Sequence, residues 1–252
     1  MRSRRLFLRA ALAAMLLVPA AVLPACGGSG GSDDPGGLRV GIVHAVNPSY
    51  AQDVQDNLVG TGQFASVGVL YAGSPITLSD IESNFDVILV MKDGDFFDEA
   101  TFGDILADAV DDGVGVVLSV FCYEAGVIQG RFASDDYFTM TSGANGGGGP
   151  LGYTEDVPGH PLLTDVTLFG GGDSSYRTTG TPYPSSTKVA SWLVAGSPPL
   201  LVERTLPNGA LRVDVGFYPP TASATTGRTD FVAAADSVTM LANALLRVGG
   251  QL

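Results

Sequence analysis

The sequence predicts an α/β domain: a mostly parallel sheet flanked by helices, with a hairpin near its carboxyl end. Three observations carry this. Short apolar runs alternate with helical segments through the first half of the chain, the pattern of right-handed crossovers between parallel strands. One of those runs, residues 114–121 (VGVVLSVF), is nearly unbroken, as a strand covered on both faces must be. Finally, Pro207-Asn208-Gly209 separates two β-rich runs, and those residue types favour a tight turn.

The elements follow in order. Residues 38–45 (LRVGIVHA) read as a strand, and residues 49–59 (SYAQDVQDNLV) as a helix with Gly60 and Gly62 just beyond it. Residues 66–71 (SVGVLY) form a second strand, residues 78–83 a short helix, and residues 85–91 (FDVILVM) a third strand. Residues 98–111 carry the clearest helical period. Phe102, Ile105, Leu106, Ala109 and Val110 share one face, Asp98 is placed to cap the start, and Gly113 to end it. A further helix is expected to begin near Glu124, after the apolar run. The second half is less regular. Residues 142–152 (SGANGGGGPLG) form a glycine-rich loop that lacks the Lys-Ser/Thr ending of a phosphate loop. Strands are expected at 189–194, 200–204 and 210–217. Thr229 or Asp230 opens a last helix with Val238, Leu241, Leu245 and Val248 on its apolar face.

Charge and cysteine usage describe where such a chain works. Of 13 basic residues in 252, four (Arg2, Arg4, Arg5 and Arg9) lie in the first 25, which hold no acid. The remainder carries 9 basic against 26 acidic side chains, a net of −17. That excludes a nucleic-acid binder, which needs clustered Lys and Arg. The basic start is followed by an apolar run over residues 10–22, interrupted by Pro19 and too short to span a bilayer, which takes ~20 residues. Residues 1–25 therefore read as a signal peptide. Residues 27–37 (GGSGGSDDPGG) contain six glycines in 11 and no apolar side chain, so residues 26–37 read as an anchor point and flexible tether. Residues 38–250 form the single domain. Cys26 and Cys122 are the two cysteines.

Two resemblances concern the amino-terminal segment. Ser3-Arg4-Arg5-Leu6-Phe7-Leu8-Arg9 resembles the twin-arginine export signature, with Arg4 and Arg5 as its pair. Leu23-Pro24-Ala25-Cys26 resembles the bacterial lipobox, which implies lipid attachment at Cys26 and a location in the cell envelope, outside the cytoplasm and held to a membrane. Cys122 is then left without a partner in the chain, and a lone thiol outside the cytoplasm is expected to be buried.

The domain itself resembles the class I glutamine amidotransferase-like fold, a flavodoxin-like α/β arrangement. It is more closely similar to the trehalose-utilisation (ThuA-like) branch. The residues that carry this are 113–122 (GVGVVLSVFC), 159–166 (GHPLLTDV), 169–177 (FGGGDSSYR), 200–220 with its GFYPP end, and 240–246 (MLANALL). Active members of that family use a Cys nucleophile on a sharp strand-to-helix turn, with a His and a Glu two residues apart late in the chain. The resemblance places Cys122 at that turn. Here, however, Phe121 and Tyr123 flank the thiol and no small residue lies two positions before or after it. The one later histidine, His160, is followed by Pro161-Leu162 and not by a Glu at the required offset. No catalytic set is therefore assigned.

What remains is a candidate pocket at the carboxyl edge of the sheet, where α/β folds receive ligands. His44 ends the first strand, Asp93 follows the third, and Cys122 and Glu124 follow the fourth. No cofactor and no metal is expected, because no close pair of His, Cys or acidic residues has ligand spacing. The function class read from the sequence is a lipid-anchored envelope protein with a non-catalytic domain in a binding or scaffold role. Its partners are the membrane, through the anchor, and a small-molecule or protein ligand. The alternative is an envelope enzyme acting on a small carbohydrate or related substrate. The resemblance supplies it.

Overall fold

The computed structural model describes residues 37–147, 152–221, 223–224, 231–232 and 235–252. The signal peptide, the twin-arginine pair Arg4 and Arg5, the anchor Cys26 and nearly all of the tether lie outside the described residues. The described residues form one compact unit.

The chain opens with strand β1 (Arg39–Ala45), helix α1 (Pro48–Gly60), β2 (Ser66–Tyr71), the short helix α2 (Leu78–Glu82) and β3 (Val87–Lys92). Next come α3 (Glu99–Asp111), β4 (Gly115–Leu118) and α4 (Gly130–Ser134). Two three-residue strands follow, β5 (Asn145–Gly147) and β6 (Tyr153–Glu155), then a 3-10 turn at Pro161–Leu163 and β7 (Tyr176–Thr178). The last elements are β8 (Thr187–Trp192), β9 (Pro199–Thr205), β10 (Leu211–Val215) and α5 (Ser237–Val248).

Eight of the strands form one sheet in the order β2-β1-β3-β4-β10-β9-β8-β6, while β5 and β7 pair separately. The first five strands of that order are parallel and the rest antiparallel. The hairpin between β9 and β10 closes through Leu206–Ala210 backbone pairing, with Gly209 at φ 89°. Such a left-handed position favours glycine.

Helices cover both faces, and the period of the strands sorts the side chains between them. Val40 and Ile42 of β1, Leu89 of β3, and Val213 and Val215 of β10 pack with α1 and α5. Val43, Ile88, Val90, Val116 and Leu118 pack with α2, α3 and α4 on the other face. Helix α3 starts as its sequence implies: the Asp98 carboxylate accepts from Thr101 N at 2.7 Å.

On the α3 face β10 departs from this apolar rule. Arg212 and Asp214 point inward and are completely buried. Asp214 Oδ1 accepts from Arg212 Nη2 at 2.8 Å and from Leu118 N at 2.9 Å, and Oδ2 accepts from Thr139 Oγ1 at 2.7 Å. Arg212 also donates to the carbonyls of Val116 and Tyr137 and lies over the Phe132 ring. Arg204 of β9 does the same for the neighbouring segment, donating to the carbonyls of Asp136 and Phe138. The strand between residues 210 and 217 is thus the expected one, with a polar face turned into the core.

Three expectations need correction. The strand expected over residues 114–121 ends at Leu118, because Phe121 adopts φ 76° inside a tight turn from Ser119 to Cys122. No helix starts near Glu124: turns run on to Gln129, and α4 begins at Gly130. The last helix begins at Ser237 and not at Thr229 or Asp230, which lie outside the described residues; the Asp236 carboxylate is spent on Thr167 and Leu168 amides.

The buried pair gives a stability prediction. Asp214→Ala leaves the Arg212 guanidinium uncompensated and is expected to cost about 3–5 kcal/mol in urea unfolding. The double variant Arg212→Met, Asp214→Leu is expected to cost less than Asp214→Ala alone, because it removes both charges.

Candidate functional site

The carboxyl ends of β1, β3 and β4 lie side by side, and the order β2-β1-β3 makes the gap between β1 and β3 a reversal point of the sheet. Ligands of open α/β sheets settle at such points. A cavity of about 410 Å³ opens there, lined by Ala45, Val46, Asn47 and Pro48 after β1, by Asp93, Gly94 and Asp95 after β3, and by Tyr71. The β3 loop is held down because Asp93 N and Gly94 N both donate to the Ala45 carbonyl, at 3.1 and 2.7 Å.

The four sequence-selected residues are distributed around this edge. Asp93 lines the crevice, and the Tyr218 hydroxyl donates to it at 3.5 Å. His44 is buried at the end of β1, with Nδ1 accepting from Val46 N at 3.3 Å and its ring tilted against Tyr71. Burial pushes its pKa below the ordinary value. Cys122 is fully buried, and its thiol donates to the Val90 carbonyl at 3.5 Å. Burial, with the Asp214 carboxylate added, pushes that thiol up to about 12. Glu124 lines a second cavity, of about 230 Å³, under the turn that follows β4.

Lys92, the last residue of β3, stands between the two cavities. Its ammonium lies 4.0 Å from Asp95, which lines the crevice, and 3.8 Å from Glu124, which lines the second cavity. Asp93 and Glu124 therefore belong to separate hollows on one edge. His44 and Cys122 line neither.

The residue in the strained position after β4 is Phe121 and not Cys122. Its φ of 76° is uncommon for a bulky side chain and is held by packing around it. The Phe121 ring meets Tyr176 at 4.7 Å and Tyr218 at 5.0 Å, both edge to face. Tyr50 of α1 meets Tyr218 from the other side at 6.5 Å. An aromatic cluster thus occupies the turn that follows β4. Tyr176 and Tyr218 are visible in the sequence as aromatic residues at loop ends. The conformation of Phe121 has no signal there, since no glycine marks it.

His160 does find a glutamate, though not the one whose offset the family requires. Its Nε2 lies 3.7 Å from Glu203 of β9, which also pairs with Arg247 in the last turn of α5. That turn leads into Val248 and Gly249, which pack on Gly115 and Leu38, at the starting ends of β4 and β1. The pair therefore sits toward the amino ends of the strands, away from Cys122. Burial lowers the His160 pKa, with Glu203 working against the shift. Among the described residues, no three His, Cys, Asp or Glu side chains are placed to hold a metal ion.

Comparison with solved structures places the fold. The chain is similar to a ThuA-like protein from Bacteroides uniformis, with a TM-score of 0.54 and 11% identity, covering 83% of this chain and 90% of that one. It is also similar to a glutamine amidotransferase from Thermotoga maritima, with a TM-score of 0.51 and 8% identity, covering 83% of this chain and 97% of that one. These likenesses concern the fold: a mixed α/β domain with a mostly parallel sheet, of the glutamine amidotransferase-like kind. No protein-family model and no curated protein matches the sequence.

The two histidines give a pH prediction. Both resist protonation in the folded state, so the unfolded chain takes up protons first as pH falls below about 6.5. Their contribution to stability is present above that value and is lost as pH falls through the window down to their lowered folded values. Urea midpoints should therefore drop between about pH 7 and pH 5, and the His44→Gln, His160→Gln double variant should show a flatter dependence. An unchanged slope would contradict the burial of the two rings.

Proposed function

We propose that this chain is exported through the twin-arginine route, lipid-anchored at Cys26 and displayed from the cell envelope as a binding module. In this reading its amidotransferase-like domain has no catalytic set. One observation carries it: the strained position after β4 holds Phe121 inside an aromatic cluster, while the adjacent thiol of Cys122 is sealed and kept protonated. A thiol becomes a nucleophile only as the thiolate, with a lowered pKa and open access. Neither imidazole supplies a base. His44 is engaged with Val46 and Tyr71, and His160 with Glu203 toward the other end of the strands.

The carboxyl edge nonetheless keeps two hollows with polar and aromatic linings, so the part of the fold that receives ligands survives. The acidic body and the glycine-rich tether fit display: a chain of that composition would reach roughly 20 Å at ~5–6 Å × √n, and the negative charge would keep the domain off anionic lipid.

Two experiments test this. Cys26→Ser should move the protein from the membrane to the soluble fraction, and Arg4→Lys with Arg5→Lys should stop its export; an unchanged distribution would sink the anchor or the route, respectively. Incubated with L-glutamine, the Cys26→Ser protein should release no ammonia above the blank, and adding Cys122→Ser should change nothing. Ammonia release that Cys122→Ser abolishes would return the domain to the enzymes.

A further inference from the structure

The second hollow, under the turn that follows β4, has a composition that specifies a ligand class. Three aromatic residues supply its walls: Tyr123 from the turn, Phe138 from the segment tied down by Arg204, and Tyr183 from the loop before β8. Ser142 and Glu124 are the polar lining, and Ala133 of α4 lies exposed at its rim.

Acceptors dominate the polar groups. The Glu124 carboxylate accepts from the Asn145 side-chain amide through one oxygen. Its other oxygen faces Lys92 at 3.8 Å, beyond hydrogen-bond length, and Lys92 has Asp95 as a second carboxylate to turn to. The oxygen of that same Asn145 amide is buried with no hydrogen-bond partner. A buried polar atom without a partner is rare in a folded protein and calls for a missing group. Here that atom belongs to the amide bonded to Glu124, whose carboxylate lines a hollow of about 230 Å³.

We propose that this hollow binds a small organic ammonium ion. A carboxylate and an orphaned carbonyl oxygen want a cationic or N–H donor, and aromatic walls hold such cations through the negative faces of their rings. The body's net charge of −17 adds a field that concentrates cations at its surface. An anion would meet Glu124 directly, and a neutral apolar molecule would leave the carboxylate and the amide oxygen unsatisfied. The cation displaces Lys92 from Glu124, leaving it to Asp95. This inference rests on the binding role proposed above and names its ligand.

The test uses the full chain carrying Cys26→Ser, with choline chloride as the probe and 3,3-dimethylbutan-1-ol as its neutral isostere, at constant ionic strength. Saturable binding of choline, read by calorimetry and by a rise in melting temperature, is expected, with the isostere at least roughly tenfold weaker. Glu124→Gln should weaken choline by a similar factor while leaving the unliganded melting temperature nearly unchanged. Ala133→Trp, at the exposed rim, should abolish binding by filling the hollow. Equal affinity for the isostere overturns the cationic class. Choline binding that survives both variants overturns this hollow as the site and leaves the binding role standing. Absence of choline binding shows that water alone meets the orphaned amide oxygen, and overturns the proposal.

Discussion

A guanidinium and a carboxylate enclosed without exposure to solvent, Arg212 and Asp214, set the arrangement of this domain. Beside them on the same face, β4 presents Val116 and Leu118, and β9 presents Val202. Two charges in that position are tolerable only when every polar atom is met. Asp214 meets the requirement by bonding the backbone of β4 and the hydroxyl of Thr139, and Arg212 by bonding the carbonyls of Val116 and Tyr137. The pair thereby ties β10 to β4 and ties the segment after α4 onto both. With Arg204 holding Asp136 and Phe138, that segment has little freedom, and it forms a wall of the second hollow.

The same carboxylate reaches the chemistry of the site. Asp214 reinforces burial in raising the Cys122 thiol, and it acts likewise on the Tyr123 hydroxyl, which stands well above its ordinary value. The turn from Ser119 to Cys122 then decides what the carboxyl edge displays. Phe121 takes the left-handed position and turns its ring toward Tyr176 and Tyr218, while Cys122 drops into the core under Val90. The turn after β4 thus shows an aromatic face at the carboxyl edge. Structural likeness at this level fixes architecture and leaves function to the site.

How much of this the sequence disclosed varies with the range of the interactions. β1, α1, β2 and α3 are local patterns, and their periods and the Asp98 cap mark them within a residue or two. The hairpin at Gly209 is equally local. Arg212 and Asp214 are a different case. In the run ALRVDVGF they alternate with apolar residues and read as a solvent-facing row. Their inward orientation depends on Thr139 and Leu118, 75 and 96 positions from Asp214. Phe121 was illegible for another reason: left-handed backbone is usually announced by Gly or Asn, and here packing imposes it on a residue with no such preference. The candidate pocket was legible as an edge and not as a set. Strand order brings His44, Asp93, Cys122 and Glu124 to one end of the sheet, but side-chain direction assigns Asp93 and Glu124 to two hollows on either side of Lys92.

The Cys122 thiol is buried in the core beneath the carboxyl edge, and burial keeps it protonated. With Cys26→Ser, Cys122 is the sole thiol in the chain, so alkylation by iodoacetamide reports on it alone. In the native protein, labelling should be far slower than in urea and should show no inflection below the ordinary thiol value of about 8.5. It should proceed only as fast as the domain opens. Rapid native labelling at neutral pH, with a half-maximal rate well below that value, would mean an accessible thiolate at the carboxyl edge and would contradict the account.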